Sequence, residues 1–170
     1  MSVPRVRTVG AVSKRMKESP ATIDVRYIYH DASEYRDRGW STIPLVGKKA
    51  AIRWKEFTRR LPTLHELFTW FGDGNPKRHN IGIVTGKISA LVGVDCDSRG
   101  EAVWWWEQFA KTPLLVKTGK GIHFYYQHKP GTVVRNRAGL FGRKIDLRGE
   151  NGYLVAPPSI HRRFPQARFD

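Results

Sequence analysis

From Asn80 to Ala156 the chain is cut into runs of strand length, and that punctuation limits the folds open to it. Asn80–Thr85 is closed by Gly86, and Ala90–Asp97 is followed by Ser98-Arg99-Gly100-Glu101. Short runs rich in β-branched and aromatic residues, bounded by glycine or proline, read as strands. Leu114–Thr118 and Ile122–Gln127 flank Gly119-Lys120-Gly121, which is the pattern of a hairpin. Lys144–Arg148 and Tyr153–Ala156 flank Gly149-Glu150-Asn151-Gly152 in the same way. They predict a second hairpin, ended by Pro157-Pro158 because proline cannot continue a ladder.

Helical signals stand ahead of these runs and between them. Val25, Ile28, Tyr29, Ala32 and Tyr35 recur at helical spacing, with Gly39 as the stop. Trp40–Leu45 then reads as a short strand. Thr63-Leu64-His65-Glu66 is a capping box, in which each side chain satisfies the other residue's backbone N–H. Leu64, Leu67, Phe68 and Phe71 follow on one face, and the helix should stop near Gly72 and Gly74. Ser98-Arg99-Gly100-Glu101 predicts a second box, opening a helix through Trp104 and Phe109 that Pro113 ends. Helical spacing sends Trp104, Trp105 and Trp106 to different faces, so at least one is expected in a core. Strands and helices alternate first and hairpins follow, which gives α/β or α+β.

A chain of 170 residues suits one domain or two small lobes sharing a core. Its 30 Lys and Arg stand against 15 Asp and Glu, a formal net charge of +15. So lopsided a charge repels itself in the folded state and points to a polyanionic partner, nucleic acid first. Residues 1–20 carry Arg5, Arg7, Lys14, Arg15 and Lys17 with few core-forming side chains and predict a flexible basic arm. The single cysteine, Cys96, excludes an internal disulfide and a Cys-rich zinc site. No apolar run of ~18 residues predicts a membrane span, and no signal peptide is legible, so a cytoplasmic protein is expected.

Three segments carry candidate chemistry. In Val92-Gly93-Val94-Asp95-Cys96-Asp97, strand alternation puts Asp95 and Asp97 on one face. Adjacent carboxylates repel unless a proton or cation intervenes, and Mg²⁺ or Mn²⁺ suits oxygen ligands. Taken alone the pair reads more readily as a strand end whose aspartates meet water and cap the next helix. The turn around Lys120 offers backbone N–H groups and a positive charge to phosphate, and His123 with Tyr125 follows on what is expected to be an open face. In Lys144-Ile145-Asp146-Leu147-Arg148, Asp146 reads either as a partner of the flanking cations or as a third metal ligand with Arg148 near a phosphate. On neighbouring strands, the three segments would form an acidic cleft on a basic protein, as two-metal phosphoryl transfer requires.

These segments, in this order, resemble the primase–polymerase domain at the start of plasmid and phage replication proteins, in the archaeo-eukaryotic primase superfamily. The resemblance begins at Gly39-Trp40-Ser41-Thr42-Ile43-Pro44-Leu45 and runs through Lys48, Trp54 and Asn80–Gly86. It continues over the Asp95/Asp97 strand, Thr118–His123 and Ile145–Gly149, and ends at Gly152–Ser159. It implies an α+β fold, an α/β unit packed on an RRM-like unit, with residues 21–170 as the catalytic domain. It implies a template-dependent nucleotidyltransferase in which Asp95, Asp97 and Asp146 bind two divalent ions, Mg²⁺ or Mn²⁺. Thr118, Lys120, Gly121, His123, Arg148 and Ser159 would contact the nucleotide. The expected partners are a single-stranded DNA template with its primer, nucleoside triphosphates, and a helicase domain or protein outside this chain.

Two departures stand out: Gly121 replaces the serine common in relatives, and the Gly, Tyr and Trp pattern expected after Ser159 is missing, which leaves Ser159 and His161 open as contacts. Arg135, Arg137 and Arg143 are expected to follow the template backbone together with the basic arm. The competing readings are a non-catalytic RRM-like replication initiator and a metal-dependent nuclease.

Overall fold

The structure, a computed structural model, describes residues 25–73, 79–161 and 164–168. The basic arm expected over residues 1–20 and the helix stop at Gly74 lie outside the described residues. Among the described residues are three α-helices and two four-stranded antiparallel sheets, an α+β arrangement. The helices are α1 (Val25–Asp37), α2 (Leu64–Phe71) and α3 (Arg99–Gln108).

The first sheet contains β1 (Thr42–Val46), β2 (Lys49–Ala50), β3 (Asn80–Val84) and β8 (Tyr153–Ala156), in the order β2-β1-β3-β8. The second contains β4 (Leu91–Cys96), β5 (Leu115–Lys117), β6 (Ile122–Gln127) and β7 (Ile145–Arg148), in the order β5-β6-β4-β7. A separate pair, β9 (Ile160–His161) and β10 (Phe164–Arg168), follows.

The hairpin expected around Gly119-Lys120-Gly121 is present as β5–β6. The one expected around Gly149–Gly152 is not: β7 pairs with β4, whereas β8 pairs with β3 in the other sheet. The two runs differ in pattern. The first alternates charged and apolar side chains, as one half-exposed face demands, while Leu154, Val155 and Ala156 are buried in succession. The glycines between them serve close approach. A Cβ on Gly149 would lie 2.1 Å from the Val134 carbonyl oxygen, and one on Gly152 would lie 2.5 Å from Asn136 Oδ1. The segment is therefore a crossing between sheets.

Alternation along β4 assigns its two faces. Val94 and Cys96 join Phe124 and Ile145 under α3, where Ala102 and Trp105 cover them. Trp105 is buried and its Nε1–H donates to Tyr126 Oη at 2.8 Å, while Trp104 and Trp106 pack half-buried against the same core. The opposite face meets the first sheet. Leu91, Val116 and Tyr125 join Ile28, Leu67, Ile43, Ile81 and Leu154 in the main core. The sheets pack tightly at Gly93, where a Cβ would sit 2.2 Å from Leu154 Cδ1.

The first capping box is complete: Glu66 N donates to Thr63 Oγ1 at 3.1 Å and Thr63 N to Glu66 Oε2 at 2.8 Å. The second is half formed. Ser98 Oγ accepts from Glu101 N at 3.2 Å, but the Glu101 carboxylate is paired with Arg143 at 3.2 Å and does not reach back. A cation arriving from the β6–β7 connection has displaced a local bond with a tertiary one. Among the described residues no helix is long and apolar enough to cross a membrane.

Candidate active site

The register of the second sheet brings distant residues into one row. Asp95 on β4 lies opposite His123 on β6 and, on its other side, opposite Asp146 on β7. Directly opposed residues in antiparallel strands have Cβ atoms only ~4.5–5.5 Å apart. His123 Nε2 is 3.2 Å from Asp95 Oδ1. The imidazole is 2% exposed, which corrects the expectation of an open face. That face is roofed by the first sheet, and the apolar character of its neighbours Val116 and Tyr125 is the reason.

Asp146 is held from both sides. Its Oδ2 accepts from Arg148 Nη2 at 2.8 Å and its Oδ1 from the Gly139 N–H at 3.0 Å. Asp97 stands apart: it is exposed just past the end of β4, anchored by its N–H to the Lys144 carbonyl at 3.1 Å. Among the described residues no three His, Cys, Asp or Glu side chains are grouped closely enough to hold a metal ion. The opposed carboxylates of Asp95 and Asp146 nevertheless have the donor chemistry of a hard divalent cation.

Burial alone would raise the Asp95 carboxyl pKa. The hydrogen bond and charge of His123, joined by the charges of Lys48 and Arg148, outweigh it and hold the pKa below its ordinary value. An anion is thus kept in a largely buried place. Around it opens a cleft of about 230 Å³, lined by Lys48, Asp95, His123, Asn136, Arg148 and residues 151–155.

The β5–β6 turn abuts the end of β4. Thr118 N donates to the Gly121 carbonyl and Gly121 N to Thr118 Oγ1, both at 2.9 Å. A Cβ at Gly121 would fall 1.7 Å from the Cys96 carbonyl oxygen, so glycine here is demanded by contact with the strand that carries Asp95. Lys120 is exposed at the tip.

Ser159 is not brought to the cleft. It is buried in the first sheet, accepting from Ile81 N at 2.9 Å and donating to Ile81 O at 3.3 Å. Nor are the three arginines grouped. Arg135 and Arg137 are exposed on a segment bridged to Glu150 and Leu147, whereas Arg143 pairs with Glu101 and lies 4.3 Å over the Trp104 ring. The His161 side chain lies outside the described residues.

Sequence reasoning gave no role in the site to Lys48, Asn136 and Tyr153. Asn136 holds the crossing segment, accepting from Gly149 N at 2.8 Å and donating to the Glu150 carbonyl at 3.0 Å. Its only signal was its place between Arg135 and Arg137. Tyr153 bonds the β1–β2 turn, with Oη donating to the Lys48 carbonyl at 3.2 Å and accepting from Ala50 N at 3.3 Å. Such roles depend on sheet pairing across most of the chain, which no local pattern encodes.

No curated protein matches this sequence. The family described as bifunctional DNA primase/polymerase, N-terminal, matches residues 32–168, a span that contains both sheets, all three acids, His123 and the whole cleft. With that coverage, and with the motif residues of β4, β6 and β7 aligned in one row, the chain belongs to the bifunctional DNA primase/polymerase N-terminal (Prim-Pol) family.

Proposed function

We propose that the cleft catalyses template-directed nucleotidyl transfer. The 3′-oxygen of a primer or first nucleotide attacks the α-phosphorus of a nucleoside triphosphate, the new P–O bond forms, and the bond to pyrophosphate breaks. The observation that carries this reading is the row His123–Asp95–Asp146, whose His123 and Asp95 line a cleft with Lys48 and Arg148, on a chain of net charge +15. A protein that only bound nucleic acid would gain nothing from carboxylates turned toward its polyanion.

Asp95 and Asp146 would hold divalent ions, with exposed Asp97 the third carboxylate, and Mg²⁺ or Mn²⁺ there would acidify the attacking hydroxyl and offset charge on the departing pyrophosphate. His123, fixed by Asp95 and shielded from water, presents a ring of set orientation to the phosphates. Arg148 both orients Asp146 and adds positive charge at the cleft wall. Thr118, Lys120 and Gly121 form the turn beside β4, and the exposed Arg135 and Arg137 suit the backbone of a single-stranded template. The β5-β6-β4-β7 order with α3 on one face supports reading the second sheet as the RRM-like unit. A helicase in another domain or protein would supply the single strand.

The test is incorporation on single-stranded DNA, with and without primer, with ribo- and deoxyribonucleotides, and with Mg²⁺ or Mn²⁺. We expect Asp95→Ala and Asp146→Ala to lower incorporation by at least ~10³-fold, since positioning and charge stabilisation supply most of the rate. Their circular dichroism should match that of the unaltered chain. Near-normal extension by either variant defeats the proposal. DNA breakdown without any nucleoside triphosphate would point to hydrolysis, and binding without incorporation to an initiator role.

A further inference from the structure

Lys48 sits at the tip of the two-residue turn between β1 and β2, and this turn is fixed with unusual care. Gly47 takes a left-handed conformation, φ 62°, which glycine adopts without strain. Its carbonyl accepts from Asn80 Nδ2 at 3.0 Å, and the Lys48 carbonyl accepts from Tyr153 Oη at 3.2 Å. Asn80 is itself bonded to the Ile160 backbone, its Nδ2 donating to the carbonyl and its Oδ1 accepting from the N–H, at 2.9 Å each. Trp54 braces Tyr153 edge-on, ring centroids 5.0 Å apart. A turn that needed only to reverse the chain would not require two side chains from other strands on successive carbonyls.

Among the described residues the charge that this mount carries is in no ion pair. Lys48 lines the cleft with Asp95, His123 and Arg148, and among the described residues no carboxylate is ion-paired with its ammonium. Arg148, by contrast, is paired with Asp146, and Asp95 is bonded by His123. The Lys48 charge contributes to holding the Asp95 carboxyl ionised, so the two groups are within electrostatic reach. A lysine is a compact point charge with three rotatable donors, which matches a phosphate group better than a base or a planar acid.

We propose that Lys48 is the phosphate-binding residue of the cleft's outer wall, taking the β- and γ-phosphates of the nucleoside triphosphate, and that Tyr153 positions it by fixing its carbonyl. The assignment rests on the nucleotidyl-transfer reading of the cleft. It places the triphosphate between two sheets, with His123 and Arg148 on one side and Lys48 on the other. Because the turn is already rigid, little ordering is needed when the phosphate arrives.

Two measurements test it on the intact chain. The first is calorimetric titration with inorganic tripolyphosphate in the presence of EDTA, which needs neither metal nor turnover. The second is the KM and kcat for nucleotide in primer extension. We expect Lys48→Ala to weaken tripolyphosphate binding and raise KM by ~10-fold or more, the loss of one charge-assisted contact. Lys48→Arg should recover most of both. Tyr153→Phe keeps the ring but loses both turn bonds, and should shift KM in the same direction by ~3-fold. Lys48→Ala indistinguishable from the unaltered chain in both assays overturns the proposal, as does failure of the unaltered chain to bind tripolyphosphate. Lys48-dependent tripolyphosphate binding without any nucleotide incorporation would instead uphold the anion subsite and sink the polymerase reading.

Discussion

Asp95 sits between opposing demands, and its neighbour Cys96 shows what happens when only one of them acts. Both belong to the same strand, one residue apart and facing opposite cores. Asp95 has His123 and two nearby cations to offset its burial and stays ionised. Cys96 has burial first, then the negative charges of Asp95, Glu101 and Asp97, and its thiol is pushed up to about 12. Thiolate, not thiol, reacts with electrophiles. A maleimide at pH 8 should therefore leave Cys96 unlabelled in the folded protein and modify it fully in guanidinium. Rapid labelling of the native chain, followed by mass spectrometry, would contradict this environment. The opposite facing of these two residues was legible from strand alternation alone. Their energetics were not, because the groups that decide them, Lys48, His123 and Arg148, arrive from three other segments.

Among the elements, α2 was the most legible, since its capping box is local. The structure adds a partner that the sequence did not suggest: Arg60 donates to both Glu66 oxygens, at 2.8 and 2.7 Å. Arg60, with the Thr63 bonds, holds the Glu66 carboxyl down to about 2. A depressed carboxyl contributes stability above its ordinary pKa and loses it as pH falls toward the folded value. Thermal melts between pH 5 and pH 2 should show a decline that Glu66→Gln flattens. The pair is partly exposed, so the effect should be ~1 kcal/mol or less. An identical pH profile in the variant would remove the linkage. The element most misread was the β7–β8 connection, where glycines that permit close approach look, in sequence, like glycines that permit a turn. Composition told the two apart only weakly, through the change from alternating to continuous apolar residues.

At the scale of the whole molecule, the two sheets meet closely at Gly93 and Leu154, and the cleft opens beside this contact, lined by Asp95 and Leu154. Adding a methyl at Gly93 should press on Leu154 and strain the contact between the sheets. We expect Gly93→Ala to cost ~1–3 kcal/mol in chemical denaturation, and Leu154→Ala to cost ~2–5 kcal/mol by cavity formation. The double variant should cost clearly less than the sum, because the small residue removes the clash. Strict additivity would mean that the two side chains do not share this contact. The sheets are also interlocked by order of synthesis, because β3 borders β8, a strand made only after every strand of the second sheet. The opening segment consequently leaves the ribosome with an unfinished edge and cannot be completed until the other half has been delivered. Such a chain does not divide between β3 and β8 into two self-contained sheets, and the cleft between them draws on both ends of it.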